Sequence, residues 1–300
     1  MNYRQLPTDG DRPSGPYRSP IRQIVLLLFI AIALAGCASV ATYQLSNSVS
    51  DGIINQDDPE LVIAGMPAYL LLMEGTLEQR PEDTELLLVT ARLYGAYAAL
   101  LDDDKARVAA MSDKALHYAR KAFCIKLPDL CESGLDFSRF SKLLDALDED
   151  DLPYLYEYAA AWAGSIQVHS DNWTSVADLP RVQAMLERVI AIDERYDHAM
   201  GHVYLGVMTS QLPPALGGHP EIGRTHFERA IKLSRGQNLI AYVEYAQHYA
   251  RLTFDKKLHD SLLNTVLRAD THVNGLTLSN VIARRLAEKL LAGSEEYFGE

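Results

Sequence analysis

The sequence holds no phosphate-binding G-x-x-x-x-G-K-S/T, no G-x-G-x-x-G, no G-x-S-x-G and no H-E-x-x-H. Those absences remove the common nucleotide, hydrolase and metalloprotease chemistries and leave binding as the expected activity, with no cofactor implied. Basic residues are scarce, with 28 Lys and Arg against 40 Asp and Glu and a net charge of −12. So acidic a chain repels nucleic-acid phosphate and gains nothing from an anionic bilayer surface. Runs of β-branched residues are few beside long Ala, Leu and Tyr stretches, which excludes a sheet-based core and points to an all-α protein. The longest unbroken apolar run, residues 24–34, has eleven residues, well short of the ~20 that a spanning helix needs.

That run is informative for what surrounds it. Arg18 and Arg22 precede it and small residues follow, the pattern of a secretory signal peptide. Leu34-Ala35-Gly36-Cys37 then matches the bacterial lipobox, which implies cleavage before Cys37 and acylation of that residue. Several acyl chains anchor a protein stably where one would be marginal. The resulting division is a signal peptide at 1–36, a polar lipid-anchored tether at 37–58, with room for one short helix, and a helical domain at 59–300. Removing the signal takes away Arg4, Arg12, Arg18 and Arg22 against Asp9 and Asp11 and leaves a mature charge of −14. Ala38 after the cysteine, in place of an inner-membrane Asp signal, favours the outer membrane.

Only three cysteines occur. With Cys37 lipidated, Cys124 and Cys131 remain as an even pair in an oxidising compartment, across a turn at Pro128. A disulfide is favoured over two free buried thiols, and spacing alone leaves both open.

Helical periodicity dominates from Pro59. Val182, Met185, Leu186, Val189 and Ile190 form one stripe over 180–193, with Asp178 placed as its N-cap and Pro180 in the first turn. A second helix is expected over 197–211, stopped by Pro213 and Pro214, and a third from Pro220 to Ser234. Further helices are expected at 153–168, 241–253 and 258–269, the first capped by the acidic run Asp148 to Asp151. The pair 197–211 and 220–234 resembles a tetratricopeptide repeat: Leu205-Gly206 in the first helix, Gly223, Phe227 and Ala230 in the second. Gly206 and Phe227 are 21 apart where ~16 is usual, so Leu212 to Gly218 are an insertion. Tyr94-Gly95 with Ala115, Ala119 and Ala122 reads as an earlier pair. The expected fold is a set of tetratricopeptide-like hairpins packed into a single curved domain.

His198 and His202 share the i, i+4 spacing of metal ligands, but no third ligand is evident and His202 occupies the repeat's aromatic packing position. No metal site is expected. Sixteen tyrosines and two tryptophans recur at helical spacing, as in Tyr154, Tyr158 and Trp162, or Tyr242, Tyr245 and Tyr249. Such rings either pack the core or line an apolar pocket, with hydroxyls to orient a ligand.

Trp162-Ala163, Asp178-Leu179-Pro180, Leu212-Pro213-Pro214-Ala215-Leu216-Gly217-Gly218-His219-Pro220-Glu221, His226-Phe227-Glu228-Arg229-Ala230-Ile231 and Tyr245 to Arg251 together resemble the T-component family of TRAP transporters. The likeness covers roughly residues 37–292. It implies a periplasmic lipoprotein with a tetratricopeptide-like fold that forms a homotrimer and partners the periplasmic solute-binding protein, the P-component. It also implies a part in moving hydrophobic small molecules. The residues expected to contact partner or ligand are Leu212, Pro213, Pro214 and Leu216 of the insertion, with Trp162, Tyr158, Tyr204, Tyr245 and Tyr249. The alternative function is an envelope scaffold of helical repeats with no small-molecule ligand.

Overall fold

A computed structural model describes residues 49–101, 104–211 and 218–299. Cys37 and the insertion residues Leu212, Pro213, Pro214 and Leu216 lie outside the described residues, as do the signal peptide and most of the tether. Residues 49–54 are helical. The helices that follow are α1 (Pro59–Gln79), α2 (Thr84–Leu100), α3 (Lys105–Lys126), α4 (Phe137–Asp145), α5 (Leu152–Val168), α6 (Trp173–Val176) and α7 (Leu179–Ile192). After them come α8 (Tyr196–Thr209), α9 (Pro220–Leu233), α10 (Ile240–Glu244), α11 (Lys256–Arg268), α12 (Thr277–Ala292) and α13 (Ser294–Phe298). No strand occurs among the described residues. The protein is an all-helical repeat domain.

Much of the acidic charge begins helices. Asp58, Asp83, Asp104, Asp136 and Asp255 cap α1, α2, α3, α4 and α11, each accepting from first-turn N–H groups. Asp178 and Asp151 stand at the N-cap positions of α7 and α5 but make no capping bond, contrary to expectation. The reason is the shared sequence Asp-Leu-Pro. Proline at the second helical position removes the N–H that the carboxylate would take, and the next N–H bonds the Asp carbonyl instead, Arg181 at 2.9 Å and Tyr154 at 3.1 Å. At Asp58-Pro59 the proline is one position earlier, and the Glu60 and Leu61 N–H groups reach Asp58 at 3.0 and 3.2 Å. The acidic run therefore ties its own loop, with Asp148 accepting from the Asp150 N–H at 3.0 Å.

The main packed pairs are α1 with α2, α2 with α3, α7 with α8, α8 with α9 and α11 with α12, while α5 packs on α3 and α7. Ala115, Ala119 and Ala122 are buried on one stripe of α3, which lets α2 and α5 approach closely. Val182, Met185, Leu186 and Val189 of α7 are almost fully buried, as the periodicity predicts. The hairpin of α8 and α9 closes on glycine. A Cβ on Gly206 would stand 2.7 Å from the Phe227 ring, and one on Gly223 would stand 2.8 Å from the Gly206 carbonyl oxygen. Phe227 and Ala230 are wholly buried there. α1 is long and apolar enough to cross a membrane, yet it packs Val62, Met66, Leu70, Met73 and Leu77 inward against α2 and α3.

The two ends of the helical array meet. Leu278 of α12 joins the core of α1 and α2. The Gly275 N–H donates to Asn55 Oδ1 at 2.7 Å, and Arg285 pairs with Glu60 at 2.8 Å. Contact of α12 and the loop before it with α1 and the residues before it thus joins the two ends of the array.

Two helices depart from expectation. The segment expected to be one helix over 197–211 begins with three left-handed residues, Asp197, His198 and Ala199, at φ 46°, 55° and 65°. Each such residue costs about 1–2 kcal/mol, and tertiary contacts offset it. Tyr156 donates to the Asp197 carboxylate, Asn238 Nδ2 donates to the His198 carbonyl at 3.1 Å, and Ala199 is buried. The helix expected over 241–253 becomes α10 followed by a π-helical turn at Tyr245–Ala250. α11 ends near the expected residue.

Candidate functional site

α5 carries the residues that matter most, because its sequence sets a glutamate among aromatics. Glu157 is buried between Tyr156 and Tyr158 and pairs with Arg92 of α2, whose Nε donates at 2.7 Å. Burial pushes the Glu157 carboxyl up from its ordinary value, and Arg92 pulls the other way. Tyr156 faces the left-handed turn and is held well above the ordinary phenol range by burial and by the Asp197 charge. Tyr196 packs edge-on against Tyr156 with ring centres 5.2 Å apart. Burial also raises the Tyr204 hydroxyl, with Asp197 and Glu157 adding to it. Arg92, Glu157 and Asp197 thus knit α2, α5 and α8 through one polar knot lined with phenols, with Glu157 buried and Arg92 and Asp197 reaching the surface. Sequence reasoning picked out Tyr204 and missed the other members. A lone glutamate within PYLYEYAAAW was the signal available.

The other face of α5 holds Tyr158 and Trp162, stacked with ring centres 5.0 Å apart. Phe123 of α3 supports Tyr158 from beneath at 4.8 Å. Tyr154, expected on the same stripe, turns instead to Thr84, hydroxyl to hydroxyl at 3.1 Å. Tyr158 and Trp162 floor a small open cavity of about 220 Å³ beside the turn Pro128–Cys131. Cys131 there is joined to Cys124 at the end of α3, with Cα atoms 5.5 Å apart.

Tyr245 and Tyr249 are not at that cavity. Both are buried, and Tyr245 stacks on Phe227 at 5.3 Å. Their hydroxyls are taken by α9 carboxylates, Glu228 at 3.2 Å and Glu221 at 2.6 Å. They belong to the packing of the π turn on α9. The candidate residues Tyr158, Trp162, Tyr204, Tyr245 and Tyr249 therefore fall in three separate places.

His202 meets His226 of α9 rather than His198, which the left-handed turn carries off the helical register. The two Nδ1 atoms are 2.9 Å apart and the ring centres 5.2 Å. That separation fits rings set head-on, an N–H of one donating to the lone pair of the other, since two ligands of one metal would aim at a common third point. Burial, with His226 alongside, depresses His202 to about 4. Among the described residues no group of three His, Cys, Asp or Glu is arranged to hold a metal.

Stacked helical hairpins with aromatic-lined cavities define a class, the helical-repeat protein. Within that class the family model of the TRAP transporter T-component matches residues 55–298, so the chain belongs to that family. No curated protein matches the sequence. The family is one of transporter accessory subunits, and this chain is such a subunit.

Proposed function

We propose that this T-component is a periplasmic lipoprotein anchored through Cys37, on the outer membrane. It assembles as a homotrimer, binds the solute-binding P-component of its transporter and takes an apolar small ligand. The family match over 55–298 carries the reading, because it spans the Leu-Pro-Pro-Ala-Leu-Gly-Gly insertion that ordinary tetratricopeptide repeats lack. The lipobox at 34–37 supports the anchor, and Ala38 the outer-membrane destination. The insertion, with Leu212, Pro213, Pro214 and Leu216, is the partner contact in this reading. Its flanks support that role: Ser210 and Pro220 are both buried, so the segment springs from fixed points on α8 and α9.

The test replaces 212–218 with a short turn suited to an ordinary repeat. Helicity is followed by circular dichroism and affinity for the P-component by calorimetry. Intact helicity with lost affinity is expected, and unchanged affinity refutes the contact. A clickable fatty acid should label the wild type and leave Cys37→Ser unlabelled.

A further inference from the structure

The cavity above Tyr158 and Trp162 carries charges that the fold leaves unspent. Four ionised side chains border it: Arg120, Arg181, Glu132 and Asp178. Two are committed elsewhere. Arg181 lies over the Phe140 ring at 4.8 Å and donates to the Leu135 carbonyl, and Glu132 pairs with Arg139 at 2.9 Å. Arg120, on an exposed position of α3, and Asp178, deprived of its capping bond by Pro180, have no partner among the described residues. The Tyr158 hydroxyl has no hydrogen-bond partner among them either, although its ring is buried. Burial pushes that hydroxyl up to about 12, with Arg120 and Arg181 lowering it and Asp178 raising it, so these charges gather around one oxygen.

A free cation, a free anion and a stacked aromatic floor on one small cavity specify the chemistry of an occupant. It needs a carboxylate for the Arg120 fork, an ammonium for Asp178 and a planar apolar body for the floor. A purely apolar ligand would leave both charges unanswered, and a simple carboxylate would meet Asp178 unfavourably. The volume of about 220 Å³ equals roughly seven waters at ~30 Å³ each, room for one ring and its head group. We propose that this cavity binds a small zwitterion bearing a planar apolar body, the simplest case being an aromatic α-amino acid. The site goes beyond the apolar ligand of the function proposed above, and nothing in it depends on the partner half.

The full chain in mild detergent, with the exposed Trp173 changed to Phe, makes Trp162 the sole indole reporter. L-phenylalanine, 3-phenylpropionate and 2-phenylethylamine are titrated against its fluorescence. The amino acid should bind, and each single-charge analogue should bind about tenfold more weakly or worse, as for loss of a charged hydrogen bond. Arg120→Gln should weaken the amino acid to the same degree and leave the melting curve unchanged, since Arg120 is solvent-exposed. Equal or tighter binding of either analogue, no response up to about 10 mM amino acid (an affinity too weak to be a site), or indifference to Arg120→Gln would each overturn the proposal. The analogue comparison is made on unaltered binding residues, so it stands even where a variant misfolds. Because no P-component is present, a negative result leaves the partner reading intact, and a failure of partner binding leaves this site intact.

Discussion

Gly206→Ala should destabilise the protein, although helix propensity alone predicts the reverse. In a helix interior alanine is better than glycine by about 1 kcal/mol. Position 206 lies in α8 against Phe227, and an added Cβ there would stand 2.7 to 2.9 Å from three ring carbons. Phe227 is wholly buried and stacked on Tyr245, so its ring has no free direction in which to retreat. Forcing a methyl into a site whose facing ring cannot move lies toward the upper end of the usual 1–3 kcal/mol, and after the propensity gain of about 1 kcal/mol the net loss should be up to about 2 kcal/mol. Gly95 is the control, because it is helical in α2 and a Cβ there meets nothing within 4 Å. Gly95→Ala should therefore be neutral or stabilising by about 0.5–1 kcal/mol. Urea unfolding followed by circular dichroism reads both. In a Phe227→Leu background the Gly206→Ala penalty should shrink, because contacting residues couple. A stabilised Gly206→Ala protein, or a penalty undiminished in that background, would refute the close approach of α8 to α9.

Other outcomes follow from the same geometry. His202 is depressed to about 4, so the unfolded chain binds the extra proton between the ordinary histidine value and that point. Its contribution is fully present at neutral pH and is lost as pH falls through that window; His202→Phe should flatten the acid limb of a stability–pH curve. Arg92→Ala leaves Glu157 buried without its partner, at a cost of about 3 kcal/mol near neutrality. The loss should shrink at acid pH, where the raised carboxyl takes a proton; an equal loss at all pH values would contradict a charged Glu157. Serine at both Cys124 and Cys131 should lower stability by about 2 kcal/mol for so short a loop. Failure of both thiols to alkylate in unreduced wild-type protein is the companion check.

The α7 stripe was legible in the sequence because it follows helical spacing, and the Gly206–Phe227 contact because the repeat pattern names both residue types despite the insertion between them. The knot of Arg92, Glu157 and Asp197 was not, since its members are distant in sequence and only the fold converges them. The left-handed turn at Asp197–Ala199 was hidden for the same reason: nothing local prefers it, and contacts from Tyr156 and Asn238 hold it. The missing caps at Asp151 and Asp178 were readable in principle. Both precede Leu-Pro, and the helix start shows that the proline falls one position too late to spare the donor. Aromatic spacing grouped Tyr154, Tyr158 and Trp162, yet rotamers and neighbours send Tyr154 elsewhere, which periodicity cannot register.

The central claim is that this T-component works by binding the solute-binding protein of its own transporter. Native mass spectrometry of the purified chain mixed with the P-component of its transporter tests that claim most directly. A complex holding both proteins is expected, abolished when 212–218 is replaced by a short turn. Two separate species at concentrations that hold the T-component intact would contradict it.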